Sequence, residues 1–187
     1  MKPNSILCII TSEPVYYAHD SANNEDFFTL DAKAGETKFP IVLSEYLVPM
    51  VHVGAKVKLT GNMYIEKTYP DEDSDTFLLQ PNFYAMTVKP CSEKTPIDDP
   101  VFTISGELTK VTPLGVTSSG LTYCVCYLRT QDQWSRVTVY RIFCKDANAR
   151  KLQTIPKFRH LELTVEYTAN TFQGSSPFTC LEIRDAR

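Results

Sequence analysis

With 187 residues the chain is long enough for one large domain or two small ones, and a hydrophobic fraction of 43%, with ten Tyr, ten Phe and one Trp, rules out wholesale disorder. No apolar run approaches the roughly 18 residues of a spanning helix, and the stretch 6–10 is too short for a secretory h-region, so a soluble nuclear or cytoplasmic protein in a reducing compartment is expected. The net charge of −3 conceals a split: residues 1–93 hold seven Lys, no Arg and 13 acidic groups, whereas residues 94–187 hold 12 basic against nine acidic groups, which suits the second half to an anion.

Along the chain, residues 6–10 are the first predicted strand, followed by a polar segment, 11–24, that carries Tyr16, Tyr17 and His19. Strands follow over 27–32 and 38–43. The turn between them contains Gly35, which can adopt the positive φ that such turns need. Residues 44–51 predict a helical turn with Ser44 as its cap and Pro49 limiting its length. Residues 53–61 alternate Val57 and Leu59 with Lys56, Lys58 and Thr60, the pattern of a half-buried strand. An acidic loop, 71–75, separates it from a strand over 77–86.

A Pro-rich polar passage, 89–100, is the predicted linker, after which much the same order begins again. A long strand is predicted over 102–111, with Gly106 marking a bend or bulge. A Gly/Ser-rich loop leads into the strands 121–128 and 136–143, read as a β-hairpin. Residues 146–153 have helical composition, with Asp146 placed to cap them and Pro156 beyond their end. Residues 161–167 alternate cleanly, and the last strand is predicted over 177–184.

Strand, long loop, hairpin, short helix, strand, loop, strand is the element order of the OB-fold, a five-stranded Greek-key barrel. It occurs twice, with residues 57–60 and 161–164 as the clearest corresponding strands. The expected fold is therefore all-β with short helices: two tandem OB-fold barrels, with a first module over 1–90, a linker over 91–100 and a second module over 101–187. A single larger β-sandwich is the competing architecture.

Chemistry-bearing motifs are sparse. His19, His52 and His160 stand far apart without metal-ligand spacing, and no nucleophile elbow or phosphate-binding glycine loop occurs. The acidic run 71–75 lacks the central Gly and terminal Glu of a calcium loop and reads as a solvated loop. Cys8, Cys124, Cys144 and Cys180 sit in apolar strands, where free Cys behaves as a small core residue. The pair Cys124 and Cys126 lacks a second ligand pair for zinc. No enzymatic activity, metal or cofactor is expected.

Binding has a stronger physical basis, because single-stranded nucleic acid needs cations for its phosphates and flat side chains for its unstacked bases. Period-two alternation on the third strand of the second module predicts Arg136, Thr138 and Tyr140 on a wet face, with Val137 and Val139 buried. Trp134 in the hairpin loop, Arg129 beside it, Tyr123 and Tyr127 on the second strand, Tyr167, and Phe172 in the following loop complete the expected stacking surface, with Lys157 and Arg159 at its rim. The first module offers a less cationic set, Tyr16, Tyr17, Phe28, Lys38, Tyr64 and Lys67. Its acidic loop repels phosphate, so this half is expected either to extend the groove or to hold a protein partner.

In its element order and in the glycine-led strand Gly54-Ala55-Lys56-Val57-Lys58-Leu59-Thr60-Gly61, the chain resembles OB-fold single-stranded DNA-binding proteins of the replication protein A and telomere-end-binding kind. That resemblance implies handling of single-stranded DNA in replication, repair or chromosome-end maintenance, with DNA favoured over RNA. The alternative is an OB-fold subunit that binds protein within a nucleic-acid-handling complex. A small β-barrel enzyme or carbohydrate binder ranks last, since no catalytic constellation can be assembled.

Overall fold

A computed structural model of the chain describes residues 3–68, 78–131, 137–168 and 176–185. Two units emerge, Lys2–Pro100 and Val101–Arg187. In the first, strands β1 (Asn4–Ile10), β2 (Val15–Asp20), β3 (Glu25–Ala34), β4 (Thr37–Ser44), β5 (Lys56–Thr68) and β6 (Leu78–Pro90) form one sheet in the order β1-β5-β6-β4-β3-β2. Because β1 also pairs with β3, five of these strands close into a barrel and β2 remains outside it, attached only to β3. The closure is antiparallel except at β4 and β6, where Ile41 and Val42 face Phe83 and Tyr84 in parallel.

The second unit repeats this circuit with β7 (Val101–Val111), β8 (Gly115–Val116), β9 (Thr122–Gln131), β10 (Val137–Lys145), helix α1 (Asp146–Gln153), β11 (His160–Tyr167) and β12 (Phe178–Asp185). Here β7 bonds to β9 and β11, β9 to β10, and β10 runs parallel to β12 at Ile142 and Phe143. β8 is the counterpart of β2, paired only with β9. Each sheet thus closes within its own unit. The two-barrel expectation holds, and the continuous sandwich does not.

Alternation explains the strands well. On β11, Leu161, Leu163, Val165 and Tyr167 are buried, while the residues between them face outward. Burying each aliphatic side chain of this kind stabilises the fold by about 1.5–3 kcal/mol. The first core gathers Ile6, Cys8, Leu30, Phe39, Ile41, Leu59 and Phe83, and the second Phe102, Ile104, Leu108, Leu128, Ile142 and Leu163. Gly35 turns the β3–β4 hairpin at φ +54°.

Several local expectations are corrected. The polar segment 11–24 contains β2, which is bulged between Tyr16 and Ala18 and turned by Asp20, whose carboxylate accepts from the Ala22 amide at 3.0 Å. This strand has no buried face, so it carries no apolar alternation to reveal it. Ser44 ends β4, and only Val48–Met50 form a 3-10 turn. Lys145, not Asp146, holds the capping position of α1, and Asp146 lies in the first turn, where its charge suits the helix dipole. Gly106 lies in regular register with Leu161, while the β7 irregularity falls between Leu108 and Lys110. The start of the 91–100 stretch is tied to β5, the Cys91 amide donating to the Lys56 carbonyl at 2.9 Å and Lys56 Nζ donating to the Glu93 and Thr95 carbonyls.

Candidate nucleic-acid interface

The β9–β10 hairpin presents one of its faces on the outside of the second barrel. Its register sets Tyr123 opposite Lys145, Val125 opposite Phe143, Tyr127 opposite Arg141, and Arg129 opposite Val139. Residues directly opposite each other share a face, so these eight side chains stand together. The intervening residues Cys124, Cys126, Leu128, Tyr140, Ile142 and Cys144 fill the barrel interior.

This parity corrects the predicted wet face. Tyr140 is 1% exposed and packs edge-on against Phe178 at 5.9 Å, and Thr138 is buried, whereas Val137 and Val139 are half exposed. The physical reason lies in the sheet. β10 meets β12 only at Ile142 and Phe143, so the valine-bearing end of the hairpin lacks that neighbour and its valines are not a guide to the interior. Ile142 and Cys144, alternating with Arg141, Phe143 and Lys145, carried the correct phase. Tyr167 is likewise corrected to a core residue, 5.8 Å from the Phe178 ring, and burial pushes its phenol pKa up.

On the outward face, Tyr123 and Phe143 stack at 5.3 Å between ring centroids, with planes inclined by 29°. Lys145 Nζ lies 6.0 Å from the Phe143 ring centre and Lys110 Nζ 5.6 Å from that of Tyr127, placing cations beside aromatic faces. The strand β8 lies so close that a Cβ on Gly115 would fall 2.7 Å from the Tyr123 ring. Between β8, the hairpin and the residues flanking the β11–β12 connection runs a groove of ≈ 520 Å³, lined by Val116, Tyr123, Arg141, Phe143, Lys145 and Thr168 among others. Ser176 fixes one edge: its hydroxyl donates to the Arg141 carbonyl, and the Phe178 amide donates to its oxygen at 3.2 Å. Nε of Arg141 is buried and has no hydrogen-bond partner among the described residues.

Of the residues expected from sequence, Tyr123, Tyr127 and Arg129 stand on this face. Trp134, Arg136 and Phe172 lie outside the described residues. Lys157 and Arg159 are exposed but belong to the α1–β11 connection, which is tied by backbone hydrogen bonds to Leu108 of β7, and they do not line the groove. Arg141, Phe143, Lys145 and Lys110 escaped the sequence pattern, because the phase of β10 hid the first three and Lys110 stands on a different strand.

In the first unit the equivalent face is filled by its own side chains. Tyr17 reaches from β2 to donate its hydroxyl to Glu66, which also accepts from Tyr84 and, at 2.8 Å, from Asn82. Burial first, then the Glu66 hydrogen bond, pushes the Tyr17 phenol up to about 12. Tyr64 packs edge-on to Tyr84 at 5.3 Å, and Val42 beneath is 1% exposed. Tyr16 is exposed and packs edge-on against Phe28, and Lys38 stands opposite Lys33 near the hairpin turn. Lys67 lies in β5.

Among the described residues, no three His, Cys, Asp or Glu side chains are arranged to hold a metal ion, and no helix is long and apolar enough to cross a membrane. No protein-family model matches the chain, and no curated protein matches its sequence. Among solved structures, the chain is similar to the wild-type single-stranded DNA binding protein from Thermus aquaticus, with a TM-score of 0.76 and 12% identity over 100% of this chain and 93% of that one. A deletion mutant of the same protein gives 0.75 and 12% over 100% and 96%. At such identity the likeness is one of fold, and it agrees with the OB-fold resemblance read from element order.

Proposed function

We propose that this chain is a non-enzymatic binder of single-stranded nucleic acid, DNA in preference to RNA, acting where DNA is unwound for replication or repair. The observation that carries this reading is the stacked pair Tyr123 and Phe143, flanked by Lys145 and facing an open groove on the outer β9–β10 surface. Bases stack on the two rings and on Tyr127, while Lys145, Lys110 and Arg129 neutralise phosphates along the hairpin. The fold-level likeness to a single-stranded DNA binding protein supports the choice of DNA. Trp134 joins the stacking set through its place in the β9–β10 connection, and the filled face of the first unit takes a lesser share.

Fluorescence anisotropy with a labelled thymidine oligonucleotide of about 16 nucleotides, a length at the upper end of single-barrel site sizes, tests this. Binding should weaken linearly on a log–log plot as salt rises, and Phe143→Ala should weaken it by roughly 5- to 150-fold, the equivalent of one stacked base. Salt-insensitive or absent binding, or a Phe143→Ala protein that binds like the parent, would rule the reading out.

A further inference from the structure

We infer that Phe158 is a second base-stacking station outside the groove, reached by a single strand that leaves the β9–β10 face across β7; the inference rests on the single-strand reading above. Phe158 is 69% exposed, so its ring gains little from folding. It also sits at a costly backbone position. The Arg159 amide donates to the Pro156 carbonyl at 3.4 Å, closing a turn over residues 156–159, and Phe158, third in that turn, has φ +66°. Glycine or asparagine usually fills such a position, because a Cβ there crowds the following carbonyl. Neither burial nor turn geometry accounts for a phenyl ring at this point, whereas a ligand that lies flat on the ring does.

The turn is bonded to β7 from both directions: the Phe158 amide donates to the Leu108 carbonyl at 2.8 Å, and the Leu108 amide donates to the Arg159 carbonyl at 2.9 Å. A ring on a backbone already held in place needs little further ordering when a base stacks on it. Lys157 and Arg159 flank the ring and are exposed, so an anionic occupant meets cations on either side. Continuity with the hairpin face favours a nucleic-acid strand over an acidic peptide. β7 lies between β9 and the turn: Lys110 stands opposite Tyr127 with Nζ 5.6 Å from its ring centre, and Leu108, two residues earlier, carries the turn. Two strand spacings, about 10 Å, thus separate β9 from the turn, and a stacked single strand covers this in roughly three nucleotides at ~3.4 Å each. Lys110 is exposed beside that path and can meet a phosphate. Glu107, the acidic residue of β7, is set opposite Arg129, whose charge offsets it.

Phe158→Gly tests this, because it removes the ring and relieves the strained backbone together. Its urea midpoint should equal or exceed that of the parent. Its affinity for a labelled thymidine oligonucleotide of about 16 nucleotides, measured by anisotropy, should fall by roughly 5- to 150-fold, the equivalent of one stacked base. Phe158→Tyr should bind like the parent and Phe158→Leu like the Gly variant, since stacking needs a flat ring and not merely an apolar side chain. Lys157→Glu should reduce the salt slope by about 0.7 or more. A Gly or Leu variant that binds like the parent would overturn the inference while leaving single-strand binding intact. So would a urea midpoint that falls in Phe158→Gly along with its affinity, which would make the ring a packing residue. A poly-glutamate peptide that binds the parent as tightly as the oligonucleotide, and needs Phe158 to do so, would make the turn a site for acidic peptides and equally overturn it. If no oligonucleotide binds the parent protein, both readings fall.

Discussion

Tyr140 and Phe143 lie three residues apart on one strand, and their parity gives them opposite roles. Tyr140 is enclosed with Phe178 and Tyr167, so replacing it with Ala removes a large ring from a packed interior. Tyr140→Ala should cost about 3–5 kcal/mol of folding stability, visible as a shift of the urea midpoint. Phe143→Ala, half-buried on the outer face, should change that midpoint far less while weakening oligonucleotide binding. The reverse pattern, with stability falling at Phe143 and affinity at Tyr140, would place the binding surface elsewhere.

At the scale of elements, the β9–β10 hairpin works because β7 crosses it closely. A Cβ on Gly106 would stand 2.7 Å from the Arg129 carbonyl oxygen and 2.8 Å from the Thr130 methyl. Gly106→Ala should therefore destabilise the second unit by about 1–3 kcal/mol, the usual cost of overpacking. Thr130→Ser in the same chain should recover only part of this, since the clash with the carbonyl remains. Chemical denaturation of the single and double variants distinguishes this from a Gly that merely tolerates substitution, for which no loss of stability would be seen. The two short strands outside the barrels separate the units further. β2 sends Tyr17 across to Glu66 and fills its groove, whereas β8 meets Tyr123 with a glycine and leaves the neighbouring groove open.

For the whole molecule, the charge split in the sequence becomes a difference between two barrels of one topology. The first carries most of the acidic groups and a face closed by Tyr17, Tyr64 and Tyr84; the second carries every Arg and the open groove. Salt dependence should therefore trace to the second unit. Lys145→Glu should weaken oligonucleotide binding and reduce the salt slope by about 0.7 or more for each phosphate of a single strand that is no longer neutralised. Lys38→Glu on the first unit should change the slope by much less. Equal effects of the two, measured by anisotropy titrations across a salt series, would mean that both barrels hold the strand.

Composition and local pattern were enough to determine two repeats of one all-β circuit, because alternation, turn glycines and the strand–helix–strand order depend on neighbours a few residues apart. They also placed Tyr123 and Tyr127 on the second strand of the second module, but left Arg129 in the turn beyond it, whereas the strand runs on to Gln131. They did not settle the phase of β10, where Val137 and Val139 suggested an interior that the sheet supplies only farther along, beside β12. Only closure of the barrel decides which side of a strand is inside. That closure brought Arg141, Phe143 and Lys145 to the groove and enclosed Tyr140 and Tyr167, since burial is a property of the neighbours a strand acquires and not of its own residues.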